Sequence, residues 1–177
     1  EMLYANENLA VGNFDEAMET YETLIRSLPN NPGVSLTHGH ALKTVGRQDE
    51  AISAYRRAYA IKPDLGDAFW SLANLKTYRF SNDELEQMRE QEALPSIALA
   101  DRYHLCFALG KALEDRGHYE DSFAYYERGN RLKREELKYD PQRLATEMEL
   151  QREHVSAELI ARFANAGSKA PDPIFIV

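Results

Sequence analysis

One pattern of residues occurs twice in the chain at a constant spacing. Residues 12–32 read GNFDEAMETYETLIRSLPNNP and residues 46–66 read GRQDEAISAYRRAYAIKPDLG, so a glycine, an Asp-Glu-Ala triplet, a tyrosine and a proline all recur 34 residues apart. A fixed period of this length indicates stacked helical units, because each unit can bury its apolar face only against its neighbours. The chain is therefore expected to be all-α, a superhelical array of antiparallel helix pairs.

The period and the residue types resemble the tetratricopeptide repeat (TPR). Ala17 and Ala51 stand where the two helices of a hairpin cross closely, and a larger side chain there would cost about 1–3 kcal/mol through overpacking. Tyr21 and Tyr55 lie one turn later on the same face and fill the space beyond. The glycines supply the turn within a unit, and the prolines end each unit because proline cannot continue a helix.

The repeat divides the chain into about four units and a different C-terminal part. TPR-like units are predicted over residues 1–31, 32–65, 66–95 and 96–139, followed by capping helices over 140–166 and a linker with a strand over 167–177. The first helix of unit two is expected over roughly 33–45, with Gly39 at its small position. In unit three, Phe69, Leu72 and Ala73 take the aromatic, leucine and small positions of the first helix.

The second helix of unit three departs from the pattern. The segment SNDELEQMREQ keeps a capping box, Ser81 with Glu84, which predicts a helix over about 82–92. Leu85 and Arg89 occupy the positions of the small and aromatic residues. This helix is therefore expected to be shorter and less faithful to the repeat.

The fourth unit returns to the pattern at an offset of 37 residues, which indicates three inserted residues near the second helix of unit three. Pro95 and Ser96 are expected to open a long helix that ends near residue 115. Further on, residues 140–166 carry one apolar helical stripe that breaks near Ser156, and an array needs such an end to cover its last repeat. The stripe consists of Leu144, Met148, Val155, Leu159 and Phe163.

The charge of the chain restricts its partners. Its 21 Lys and Arg against 29 Asp and Glu give a net charge of −8, which opposes binding to nucleic-acid phosphates and to anionic membranes. The single cysteine, Cys106, excludes an internal disulfide and a cysteine-ligated metal site. No apolar run approaches the roughly 18 residues of a membrane span. A cytoplasmic protein that binds neither nucleic acid nor membrane is expected.

No combination of residues predicts catalysis, a cofactor or a metal site. His38 and His40 point to different faces of a helix and cannot chelate one metal, so His38 is expected to pack inward and His40 to face the groove. Cys106 takes the aromatic position of the fourth unit and is expected to be a buried small hydrophobe rather than a nucleophile. No Ser-His-Asp arrangement, no paired carboxylates in an apolar setting and no phosphate loop occur in the sequence.

A binding groove is the stronger prediction. In TPR arrays the first helices line a concave groove that holds extended peptides or helices. Transferring that pattern predicts a groove for a protein or peptide ligand, lined by Asn6, His40, Lys43, Trp70, Asn74, Tyr78, Phe107 and Lys111. Trp70 is the expected aromatic anchor, because Phe69 already takes the packing position. The alternatives are that its indole covers the adjoining repeat or contacts a catalytic domain.

The chain ends in PDPIFIV, an apolar run behind two prolines that is typical of the start of a buried strand. A single strand cannot bury itself, since it needs neighbours on both edges. Residues 167–177 are therefore expected to be a linker and the first strand of a second domain, with the chain cut just inside it.

Three segments resemble the helical region that precedes the catalytic domain in bacterial TPR–sulfotransferase fusion proteins. They are WSLANLKTYRFSNDELEQM, DRYHLCFALGKALEDRGHYEDSFAYYERGNRLKR and PDPIFIV, and the resemblance covers most of residues 66–177. It implies that PIFIV is followed by a Gly-Pro-Arg-Ser-Gly-type loop that holds the 5′-phosphosulfate group of 3′-phosphoadenosine-5′-phosphosulfate (PAPS). That loop would lie beyond Val177, so this chain is expected to be non-enzymatic and without a cofactor, while its parent protein uses PAPS.

Two functions remain open on the sequence. In the first, the chain presents a substrate or partner to its own adjacent sulfotransferase domain, or governs oligomerisation, with dimer formation left open. In the second, it is a self-sufficient TPR adaptor that assembles protein complexes with no enzyme attached. The terminal apolar run and the resemblance favour the first.

Overall fold

Helices account for all the regular secondary structure in the part of the chain that the computed structural model describes, residues 1–137 and 140–166. The ten helices in these ranges are α1 Met2–Ala10, α2 Phe14–Ser27, α3 Pro32–Thr44, α4 Gln48–Ile61, α5 Gly66–Ala73, α6 Asn82–Glu92, α7 Leu99–Glu114, α8 Tyr119–Leu137, α9 Pro141–His154 and α10 Ala157–Arg162. The all-α prediction is thereby confirmed. The chain divides into two compact units, Glu1–Leu137 and Lys138–Val177.

The helix pairs α1–α2, α3–α4 and α7–α8 pack as hairpins, and the repeated small and aromatic residues hold them together. Ala17 and Tyr21 of the first pair, and Ala51 and Tyr55 of the second, are all fully buried, as their spacing predicted. A Cβ added to Gly39 of α3 would lie 2.5 Å from the ring of Tyr55. The helices therefore approach closely because a small residue on one faces a ring on the other.

Two turns within units follow the predicted chemistry. Gly12 has φ of +85° and Gly46 has φ of +81°, in the left-handed region that side chains with a Cβ rarely adopt. At the next boundary, Asn31 caps α3 by accepting hydrogen bonds from the backbone N–H of Gly33 and Val34. The unit boundary therefore combines a capping side chain with a helix-starting proline.

Unit three does not form a close hairpin. Its first helix, α5, ends at Ala73 after eight residues, and Lys76 takes a left-handed φ of 62° in the connection that follows. α5 packs against α4 and most extensively against α7, while α6 packs against α7. The predicted α6 is confirmed at Asn82–Glu92 with its capping box. Its departure from the repeat follows from the lack of the small and aromatic pair that joins the other hairpins.

The long helix of the fourth unit begins later than predicted. Pro95 and Ser96 lie in a turn, and α7 starts at Leu99. The backbone N–H of Ile97 donates to the carbonyl of Leu94, and the Ile97 side chain is buried in the core. This anchored segment keeps residues 95–98 out of the helix.

The C-terminal of the two compact units contains α9 and α10. Asp140 caps α9 by accepting a hydrogen bond from the N–H of Gln142 at 2.9 Å, and Ser156 caps α10 through the N–H of Leu159 at 3.2 Å. The predicted break near Ser156 is confirmed. The expectation that residues 140–166 cover the last repeat concerns the relation between the two compact units and stays a prediction.

The predicted linker and strand at 167–177 lie outside the described residues. None of the helices in the described part of the chain has the length and apolarity needed to cross a membrane.

Candidate protein-binding groove

Two of the predicted groove residues, Asn6 and His40, are hydrogen-bonded to buried tyrosines. The hydroxyl of Tyr21 donates to Oδ1 of Asn6, and the hydroxyl of Tyr55 is hydrogen-bonded to Nδ1 of His40 at 3.0 Å. Asn6 and His40 are 34 residues apart, as are the two tyrosines. Burial raises the pKa of Tyr55 to about 12, so its hydroxyl stays protonated. The repeat therefore places one oriented polar side chain on α1 and one on α3.

An aromatic pair joins α5 to α7. The rings of Trp70 and Phe107 lie 5.4 Å apart at an interplanar angle of 48°, and both side chains are half-buried. Phe107 also lies against Gly129 of α8, where an added Cβ would be 2.8 Å from the ring. Trp70 thus contacts the adjoining repeat, as one of the sequence alternatives held, while part of its surface remains accessible.

Tyr78 does not line the groove, and this expectation is corrected. Its side chain is 8% exposed and its hydroxyl donates to the carboxylate of Glu84. The reason is the early end of α5 at Ala73, since the helical register that predicted a groove position for Tyr78 does not continue that far.

The remaining predicted groove residues differ in exposure and in the ion pairs that they form. Lys43 and Asn74 are exposed, and Asn74 lies at the C-terminal end of α5. Lys111 is half-buried and forms an ion pair with Asp115 one turn later, and Asp115 also lies 3.4 Å from a guanidinium nitrogen of Arg79. A binding role for these residues stays a prediction.

Two residues that were not among the predicted groove residues lie on the same helix faces as Trp70 and Phe107. Asp67 precedes Trp70 by three residues, and His104 precedes Phe107 by three residues. Residues three apart on a helix share a face, so this spacing was the available signal. Asp67 accepts a hydrogen bond from the hydroxyl of Ser71 at 3.3 Å and raises the pKa of His104 against the larger lowering effect of burial.

The fold should lose stability as the pH falls from about 7.5 to about 5.5, before most carboxylates are protonated. His38, His40 and His104 are half-buried, and burial lowers the pKa of each below 6.5 although Asp67 opposes this at His40 and His104. The folded chain therefore binds fewer protons than the unfolded chain, and the stability present above the unfolded pKa is lost as the pH falls through the folded pKa.

Thermal melts across this pH range measure the effect. The melting temperature of the natural chain should fall, and that of a triple variant, His38→Gln, His40→Gln and His104→Gln, should change less. A melting temperature that stays constant or rises on acidification contradicts this account.

Cys106 lies in the core, as predicted. Its Sγ is 3.7 Å from a carboxylate oxygen of Glu92. The same oxygen forms an ion pair with Arg128 at 2.8 Å. Burial and the Glu92 carboxylate raise the pKa of the thiol to about 12, so the thiolate is disfavoured. Among residues 1–137 and 140–166, no three His, Cys, Asp or Glu side chains gather in a way that could hold a metal ion.

Two parts of the chain are similar to a known repeat family. The family model described as "Tetratricopeptide repeat" matches residues 34–65 and 103–136, which contain most of the α3–α4 and α7–α8 hairpins. These are the two pairs in which an added Cβ on a glycine of the first helix would meet a tyrosine ring of the second, at 2.5 Å for Gly39 and 2.8 Å for Gly110.

The individual proteins that resemble this chain share only a small fraction of its sequence. An uncharacterised protein of Aquifex aeolicus (strain VF5) is 24% identical over 162 residues, which cover 92% of this chain. The chain spans 21% of the length of that relative. Two crystal structures of MamA are each 15% identical, with TM-scores of 0.40 and 0.41. These alignments cover 76% and 77% of this chain and 97% and 91% of the MamA chains.

Proposed function

We propose that the groove-side residues of α1, α3, α5 and α7 bind a protein or peptide partner, and that the chain acts as a TPR interaction scaffold. The tetratricopeptide repeats support a role in protein–protein interaction. The observation that carries the proposal is the half-buried pair of Trp70 and Phe107 on neighbouring first helices. Aromatic anchors surrounded by oriented polar groups are typical of the residues that dominate binding energy in interfaces.

A peptide library displayed on phage and selected on the immobilised full chain tests this proposal. Peptides that bind the natural chain should lose about 2 kcal/mol of binding free energy, about thirtyfold in affinity, when Trp70→Ala is introduced. Phe123→Ala is the matched control, because Phe123 is an aromatic residue of α8 that is 69% exposed. Thermal melts of each variant separate loss of binding from loss of folding.

The outcomes are distinct. Trp70→Phe should retain more affinity than Trp70→Ala, since it keeps a ring against Phe107. If the selected peptides bind Trp70→Ala as tightly as the natural chain, the groove around this pair is not the binding site.

We extend the proposal to a parent enzyme on the resemblance of three segments to TPR–sulfotransferase fusion proteins. In this form, the groove presents an acceptor substrate or partner to an adjacent PAPS-dependent sulfotransferase domain in a bacterial cytoplasm. The test is transfer of radiolabelled sulfate from PAPS by the protein that includes the residues encoded after Val177. If no Gly-rich loop containing Arg and Ser follows, or no PAPS is consumed, the adaptor alternative replaces it.

A further inference from the structure

A pocket of about 570 Å³ opens between α2, α3 and α4, separate from the groove residues. Its α3 residues are Ser35, His38 and Leu42, and the rest of its lining comes from the second helices α2 and α4 and from Arg47, which directly precedes α4. The groove residues of α3, His40 and Lys43, are not among the residues that line it. We call it the His38 pocket. Its volume lies within the range of about 300–1,000 Å³ that small-molecule sites occupy.

The repeat itself explains why space is left there. Where α4 of unit two meets α5 of unit three, the ring of Phe69 stacks on the ring of Tyr59, with centroids 4.5 Å apart and an interplanar angle of 12°. The residues 34 positions earlier are Ser35 and Ile25, which both line the His38 pocket. Two rings stacked at one repeat boundary are thus replaced by a hydroxymethyl group and a smaller aliphatic side chain at the preceding boundary. The side chains that are absent at this boundary are therefore aromatic rings.

The wall of the pocket carries a surplus of positive charge. Three guanidinium groups, those of Arg26, Arg47 and Arg57, face two carboxylates, those of Glu22 and Glu50. Glu50 is engaged by Arg47 through two hydrogen bonds of 2.6 Å each. Arg57 forms no ion pair with the residues that the structure describes. This local surplus occurs in a chain whose net charge is −8 and therefore favours an anionic ligand.

One polar atom of the lining lacks a partner. Nε2 of His38 is buried and makes no hydrogen bond with any of the described residues. Burial, and to a lesser degree the Arg47 guanidinium, lowers the pKa of His38, which keeps the imidazole neutral near pH 7. A neutral imidazole nitrogen can donate or accept, depending on the tautomer. A ligand with a polar group beside its ring would complete this hydrogen bond.

We propose that the His38 pocket binds an aromatic carboxylate. The ring occupies the space between Ser35 and Ile25, and the carboxylate pairs with the Arg57 guanidinium at the wall, within reach of His38. The same chemistry is available from a free aromatic acid and from a phenylalanine at the C-terminus of a partner protein. This site is independent of the groove and of its proposed function.

Titrations of the full chain with defined probes, followed by amide NMR shifts, test the proposal. The probes are 3-phenylpropionate, its amide, and the peptide Gly-Gly-Phe with a free or an amidated C-terminus. Each acid should bind at least about tenfold more tightly than its amide, because a charge-assisted pair with arginine is lost in the amide. The tighter of the two acids identifies the source of the ligand.

Two variants locate the binding. Ser35→Phe places in unit two the ring that unit three already contains, so it should abolish binding while the chain stays folded. Arg57→Gln should weaken binding of the acids about tenfold and leave binding of the amides unchanged. This variant tests the proposal even if Ser35→Phe fails to fold. Trp70→Ala should leave the affinity of both acids unchanged. Equal binding of acid and amide, undiminished binding by Arg57→Gln, or no binding of either acid at millimolar concentration overturns the proposal.

Discussion

Replacing Gly66 with alanine should lower the free energy of unfolding by about 3 kcal/mol, at the upper end of the usual cost of overpacking. An added Cβ would lie 2.1 Å from the carbonyl oxygen of Asp101 and 2.7 Å from its carbonyl carbon. These are backbone atoms of α7, so no side chain can rotate away to make room. The N–H of Gly66 also donates to Oδ1 of Asp101 at 3.0 Å, while Nζ of Lys62 donates to Oδ2 at 2.8 Å. Moving α5 away from α7 would break the bond from Gly66.

Urea or thermal unfolding of the full chain measures this effect, and Gly33→Ala is the matched control. Gly33 lies in the first turn of α3, and its added Cβ would meet only the side-chain oxygen of Asn31 at 3.3 Å. Alanine favours helix by about 1 kcal/mol over glycine at an interior position, so the control should be neutral or stabilising. The Gly66→Ala variant should melt about 6–12 °C lower. If the two variants are equally stable, the close approach of α5 to α7 is wrong.

The difference between these two glycines shows what the sequence could predict. The contact of Gly39 with Tyr55 recurs with the repeat, so a small residue and a ring at fixed positions were enough to predict the hairpin. The contact of Gly66 with Asp101 joins residues of different units across an irregular insertion. No local pattern encodes such a distance, because it depends on how unit three is displaced.

The same displacement limits the prediction of the groove. The equivalence of Asn6 and His40 could be predicted, because their positions repeat at the spacing of the tyrosines that bind them, and their role in a groove stays a prediction. The burial of Tyr78 could not be predicted, because the end of α5 depends on Lys76 taking a left-handed conformation that this residue type does not favour. The His38 pocket could not be predicted from the sequence either, because it arises from two residues on different helices. Neither residue indicates a binding site by itself.

Replacing Glu84 with alanine should cost about 3 kcal/mol of stability, because it leaves buried hydroxyl groups without an acceptor. The Glu84 side chain accepts hydrogen bonds from the hydroxyls of Tyr59 and Tyr78 at one oxygen and from the backbone N–H of Ser81 at the other. Arg56 lies 3.6 Å away and supplies a countercharge. This cluster ties α6, in the unit that lacks the small and aromatic pair, to α4 of the preceding unit.

The matched control is Glu86→Ala on the same helix. The Glu86 side chain is 69% exposed, and its carboxylate lies 3.6 Å from Arg89. An exposed pair of this kind contributes about 0–1 kcal/mol, so the control should unfold nearly as the natural chain does. A pH series separates the charge of Glu84 from its shape. Burial raises the pKa of Glu84, but the bonds from Tyr78, Ser81 and Tyr59 outweigh it and bring the pKa below 4.5.

The stability that the charged form contributes is therefore present above pH 4.5, the unfolded value, and is lost as the pH falls through the folded value. The advantage of the natural chain over Glu84→Gln, which keeps the shape but not the charge, should shrink below that pH. A constant advantage at every pH would mean that packing alone, and not acceptance of the three hydrogen bonds by a carboxylate, holds α6 in place.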